Sequence, residues 1–112
     1  MLEKCIKDVL EFDKKFGIEE ENNPTYPNLF YMGLCLAGES GELINNIKKI
    51  WRDGDSKELR EQLSEELVDV VIYICKLIII GEIDFKAAWE RKQKILIKRW
   101  NKKLHTKRRV KI

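Results

Sequence analysis

Histidine and proline are nearly missing from this sequence, which holds one His and two Pro. The lone histidine, His105, lies in a basic tail. It cannot supply the Glu-x-x-His pairs on which di-iron helical bundles depend, so iron and zinc are disfavoured. Both prolines, Pro24 and Pro27, fall within one stretch, "GIEEENNPTYPN", which reads as a loop. The three cysteines, Cys5, Cys35 and Cys75, are odd in number, far apart and form no CxxC pair. They suggest neither a disulfide framework nor a zinc site, and they read as reduced, buried thiols in a cytoplasmic protein. Long apolar runs are absent as well. "VVIYICKLIII" is cut by Lys76 and falls short of the about 20 residues of a membrane span. The N-terminal "MLEKCIKDVLEFDKKF" mixes charge into an amphipathic pattern and has no signal-peptide block. Strand-type alternation, internal repeats and low-complexity tracts are missing too. A chain of 112 residues is one domain at most, with a modest core that a partner chain can complete.

Charge, by contrast, is plentiful and unevenly placed. Residues 1–90 hold 11 Lys and Arg against 19 Asp and Glu, a net of −8, while residues 91–112 hold 11 basic residues and no acid. An acidic body thus carries a basic C-terminal helix and tail. The tail reads either as a solvated charge run or as a contact for nucleic acid or another anion.

Four helical segments are predicted. The first covers about residues 2–16, with Leu2, Cys5, Ile6, Val9, Leu10, Phe12 and Phe16 at helical spacing, and stops at Gly17. The second covers about 28–52. "DGDS" then turns the chain, with Asp55 or Ser56 as cap for a third helix ending at Gly81. Asp84 caps a fourth helix over about 85–103. Short connections between long helices imply an all-α, antiparallel four-helix bundle, completed by oligomerisation. Residues 1–104 are expected as one domain and 105–112 as a basic tail.

The second helix contains "AGESGEL", an unlikely interior for a helix, since each glycine costs roughly 1 kcal/mol relative to alanine. At about 100° per residue, Met32, Leu36, Leu43 and Ile50 all lie within about 60° of Glu39. Glu39 is therefore central in the apolar face, with Glu42 on its flank. On the third helix, Leu59, Leu63, Val70 and Leu77 surround Glu66 in the same way, with Asp69 on its flank. Two neighbouring helices each turn an i, i+3 acid pair inward, the members of a pair about 5 Å apart. Four converging carboxylates need protons or cations, and a hard divalent ion with oxygen ligands, Mg²⁺ or Mn²⁺, is the simplest neutraliser. The bland alternative leaves these acids on the surface of differently rotated helices. Gly38 and Gly41 would let either a neighbouring helix or a ligand approach the backbone beside the acids.

Basic residues point toward the same place. Lys49 lies two turns beyond Glu42 on nearly the same stripe, about 10 Å along the axis, the scale of a polyphosphate. On the fourth helix Lys92 and Arg99 fall on the stripe of Phe85, Ala88, Trp89, Ile95 and Leu96. They either meet anions or snorkel to the bundle edge. Metal-holding acids with cations nearby are the apparatus of phosphoryl and nucleotidyl chemistry.

The order "ESGE…EELVD" resembles the E-x-x-E…E-x-x-D signature of the all-α nucleoside triphosphate pyrophosphatases, the MazG-like family. "GESGELINNIKKIWRD", with Asn45, Lys48 and Lys49, is similar to that family's second core helix. "EELVDVVIYI", with Tyr73, is similar to its third, and "AAWERKQKILIKRW" to its closing helix. The resemblance implies Mg²⁺-dependent hydrolysis of a (d)NTP to the (d)NMP and pyrophosphate, as in clearance of unwanted nucleotides. It implies that Glu39, Glu42, Glu66 and Asp69 hold the ion, with Glu39 and Glu42 catalytic and Glu42 as the alternative general base. Asn45, Lys48, Lys49, Tyr73, Lys92 and Arg99 would contact substrate. It also implies a homodimer or homotetramer and no membrane. Many relatives carry Asn four residues after the closing-helix lysine, whereas here Leu96 follows Lys92. The competing class is a non-catalytic helical module binding nucleotide or nucleic acid through the basic tail. Pyrophosphate release with Mg²⁺, or a steep salt dependence of nucleic-acid binding, separates the two.

Overall fold

A computed structural model describes the backbone of residues 1–111 and the side chains of residues 1–104. The expected anion contact of the tail 105–112 therefore lies outside the described side chains. Four α-helices and no strand are present among the described residues. They are α1 (Leu2–Lys15), α2 (Tyr26–Asp53), α3 (Lys57–Ile80) and α4 (Phe85–Lys111).

Local chemistry accounts for the boundaries. Gly17, at φ 70, ends α1 in a conformation that costs glycine nothing. The loop that follows is more ordered than its lack of periodicity suggests. Glu19–Asn22 forms a 3₁₀ turn, and the Asn28 amide donates to the Glu20 and Asn23 carbonyls, tying the loop to the start of α2. Helix α2 begins two residues earlier than expected because the Thr25 hydroxyl accepts the Asn28 N–H at 3.2 Å. Pro27 sits in the first turn, where its missing N–H is harmless. Ser56, rather than Asp55, caps α3, accepting the Leu59 N–H at 3.1 Å. Asp55 instead pairs with Arg60 at 2.8 Å. At the end of α3, Gly81 stays right-handed and Glu82, at φ 50, takes the left-handed residue of the turn. Asp84 then caps α4 through the Ala87 N–H at 3.1 Å.

The chain divides into two compact units, Met1–Glu82 and Ile83–Ile112. In the first, α2 and α3 pack along each other as a helical hairpin, and α1 packs against α3. The expected all-α class with four helices is met, and the contacts within this unit are bundle-like. The second unit is a single helix, α4. Among the described residues the buried apolar side chains are few, Val9, Met32, Cys75, Ile78 and Ile80. Among the described residues no helix is long and apolar enough to cross a membrane.

Candidate metal centre

The α2–α3 seam decides where the acids go. Met32 and Asn46 are the buried residues of α2, seven residues to either side of Glu39 and on its stripe. Glu39 therefore faces α3. Across the seam Glu66 is half-buried, and Glu39, Glu42 and Glu66 each offer a carboxylate oxygen within 4.8 Å of the others. The Oε2 atoms of Glu39 and Glu66 are buried without a hydrogen-bond partner. Among the described residues no ion pair reaches Glu39, Glu42, Glu66 or Asp69. Surface acids such as Asp8, by contrast, have a lysine one turn away.

Electrostatics follow from this crowding. Burial, then the charges of Glu42, Asp69 and Glu66, push the Glu39 carboxyl above the ordinary carboxylate range. Burial, then Glu42 and Asp69, do the same to Glu66. Asp69 thus adds charge to the cluster from the next turn of α3, although it lies outside the set of three. Two buried oxygens without partners, in an all-oxygen donor set of like charges, fit a hard divalent cation. Zinc or iron would favour nitrogen or sulfur donors.

The other expected contacts divide into three groups. Tyr73 lies two turns beyond Glu66 on the same stripe. Its phenol is pushed up by burial, then by Cys35 and by Glu39. Lys49 is exposed two turns beyond Glu42 and helps hold the Asp53 carboxyl down, behind the larger effect of Arg52. Asn45 and Lys48 are exposed, and Lys48 stands about 180° round the helix from Glu39. Lys92 and Arg99 are exposed on α4, in the unit described by itself. Next to Gly38 and Gly41 an added Cβ would meet no atom within 4 Å, so no other helix of the unit 1–82 packs there.

Sequence reasoning missed two features. Asn46, buried on the Glu39 stripe, was legible from its angle but not singled out beside Asn45. A buried ion pair, Lys76 to Asp13 at 3.0 Å, joins α3 to α1. No local pattern announces it, because the partners are brought together only by helix packing.

The α2–α3 hairpin thus carries Glu-x-x-Glu opposite Glu-x-x-Asp. The MazG nucleotide pyrophosphohydrolase domain profile matches residues 30–104, and the chain belongs to that family. It is also similar to Gene 37 protein of Mycobacterium phage L5, 44% identical over 52 residues. That match covers 44% of this chain and 46% of the phage protein, so this chain spans under half of that relative's length.

Proposed function

We propose that the chain is a Mg²⁺-dependent nucleoside triphosphate pyrophosphohydrolase, converting a (d)NTP and water to the (d)NMP and pyrophosphate, with a role in clearing unwanted nucleotides. The observation that carries this reading is the set of three carboxylates within 4.8 Å, two with partnerless buried oxygens and none with a cationic side chain among the described residues. Glu39, Glu42 and Glu66 would hold the ion, with Asp69 adding charge beside them. Mn²⁺ suits the same oxygens. When bound, such an ion supplies Lewis-acid polarisation of phosphate oxygens and a water acidic enough to attack at neutral pH. Glu42, the exposed member, would serve as the alternative general base and accept the proton of that water. Lys49 would neutralise the far end of the polyphosphate, and Lys92 and Arg99 would add cationic contacts from α4. Tyr73, two turns beyond Glu66 on α3, would also contact the substrate. The family's nucleotide chemistry and the free thiols Cys5, Cys35 and Cys75 suit a reducing cytoplasm. A homodimer or homotetramer would cover the apolar side chains that one chain leaves open.

Pyrophosphate release across a panel of NTPs and dNTPs tests the activity. Release with Mg²⁺ or Mn²⁺, abolished by EDTA, is expected. Glu39→Gln, Glu66→Gln and Asp69→Asn should each reduce turnover by at least about a thousandfold, about 4 kcal/mol in the barrier, with helicity retained. Full activity in EDTA, or in any of these variants, would defeat the reading.

A further inference from the structure

Helix α4 differs in chemistry from the rest of the chain. Between Phe85 and Leu104 it carries eight Lys and Arg and a single acid, Glu90. Among the described residues no ion pair involves Lys86, Lys92, Arg99 or Lys103. On α1, by contrast, Lys4 meets Asp8 at 2.7 Å and Lys7 meets Glu11 at 3.9 Å. A helix with this much charge of one sign and so little to neutralise it fits an anionic partner.

The aromatic residues narrow the kind of anion. Trp89 and Trp100 are each 57% exposed on α4. The helical repeat sets them within about 20° of each other round the axis and about 16 Å apart along it. Lys103 Nζ lies 5.0 Å from the centre of the Trp100 ring. Lys92 and Lys103 fall within about 60° of Trp89 on one side, and Lys86 about 60° away on the other. Exposed indoles and exposed cations therefore share one side of the helix. Single-stranded nucleic acid is bound by this combination, cations on the phosphates and aromatic rings under the bases. Two other anions fit less well. A helix lying on an anionic bilayer separates an apolar face from a cationic one. Here cations enter the aromatic stripe, and Ile95, 45% exposed, stands about 120° from Trp89 among other cations. A duplex offers phosphates but keeps its bases stacked on one another, which leaves the indoles unused.

We infer that the Trp89–Trp100 side of α4 binds single-stranded nucleic acid, with bases stacked on the two indoles and phosphates on Lys86, Lys92, Arg99 and Lys103. This goes beyond the pyrophosphohydrolase reading and uses none of the acids. The test titrates the full chain, in EDTA, into fluorescein-labelled oligo-dT and oligo-U, with a duplex of equal length alongside, and reads anisotropy. At least one strand should bind in the micromolar range at low salt, and the tighter of the two tells DNA from RNA. Four phosphate contacts give a slope of about −3 for log affinity against log salt. Lys86→Gln plus Lys103→Gln should bring that slope to about −1.4, with Lys92 and Arg99 left in place. Trp89→Leu plus Trp100→Leu keeps the stripe apolar but removes the rings, and should weaken strand binding at least about tenfold. Trp89→Phe plus Trp100→Phe keeps the rings and should retain most of the affinity. Neither strand bound at millimolar concentration, a duplex bound as tightly as the strands, or a Leu variant with wild-type affinity would overturn the inference. Binding to phosphatidylserine vesicles but to neither strand would overturn it in favour of a bilayer. A Leu variant that sediments with lower mass yet keeps its strand affinity would overturn it in favour of a subunit interface. Should the Leu variant fail to fold, the lysine variant decides, since an unchanged salt slope would also overturn the inference.

Discussion

Glu39 and Glu66 show at single-residue scale what the site is built to hold. Each binds its proton more tightly in the folded chain than at the ordinary value of 4.5, because burial and neighbouring carboxylates penalise the charged form. In linkage terms, a raised folded pKa contributes stability that is fully present below 4.5 and is lost as pH rises through the folded value. Metal-free protein should therefore lose stability, relative to a Glu39→Gln plus Glu66→Gln variant, as pH climbs from 4.5 toward neutrality. Saturating Mg²⁺ should remove that loss in the wild type alone. Thermal melts against pH, in EDTA and in Mg²⁺, read both effects, and parallel curves for the two proteins would refute the crowding argument. Lys92 offers a second test at this scale. It is exposed on α4, so Lys92→Met should not lower thermal stability. If Lys92 meets phosphate, (d)NTP binding should weaken about tenfold, about 1.4 kcal/mol. A variant that unfolds, with affinity per folded molecule unchanged, would make Lys92 a scaffold residue.

Helix ends decide the register in which the acids are presented. Ser56 satisfies the Leu59 N–H at the start of α3, the helix that carries Glu66 and Asp69. Ser56→Ala should cost about 1 kcal/mol of unfolding free energy by denaturant titration, with metal binding per folded molecule retained. No measurable loss would mean that packing along α2 alone positions α3. In α2 the glycines remain a net cost within one chain, since neither Gly38 nor Gly41 meets a neighbour within 4 Å. Of the two explanations open from sequence, tight packing against another helix of the unit 1–82 is thus removed. Close approach by a ligand, or by a second subunit, is left.

At the scale of the whole molecule, the apolar surface is conspicuous. Phe30, Leu34, Ile44, Ile47 and Trp51 are all exposed along α2, and Leu67 and Val68 along α3. Exposed side chains of this size, continuous along a helix, mark an interaction surface. An assembly of at least two chains is expected, with an isologous two-fold interface as its commonest form. Sedimentation or light scattering at micromolar concentration should return a mass at least twice 13.3 kDa. Ile44→Lys or Leu34→Lys should lower that mass. A monodisperse, active monomer would show that this face needs no protein cover.

The elements, and the faces of α2 and α3 that carry the acids, were legible in the sequence, because helix start, stop and angular position are local properties. Gly17, Ser56 and Asp84 mark boundaries within a turn of where the helices begin or end, and the angles about Glu39 and Glu66 follow from the helical repeat. Local chemistry also named the acids that come together. Angle alone could not bring Glu39, Glu42 and Glu66 within 4.8 Å, since that depends on how α2 and α3 are offset along their seam. Nor could it bury Lys76 against Asp13, which looks on paper like an interruption of an apolar run. A cavity lined by Tyr31 and Tyr73 likewise exists only once α1 lies against α3. Sequence determined which side of α2 and of α3 carries the acids, while tertiary packing decided which side chains meet, because separation between helices is set by long-range contacts that no local spacing records.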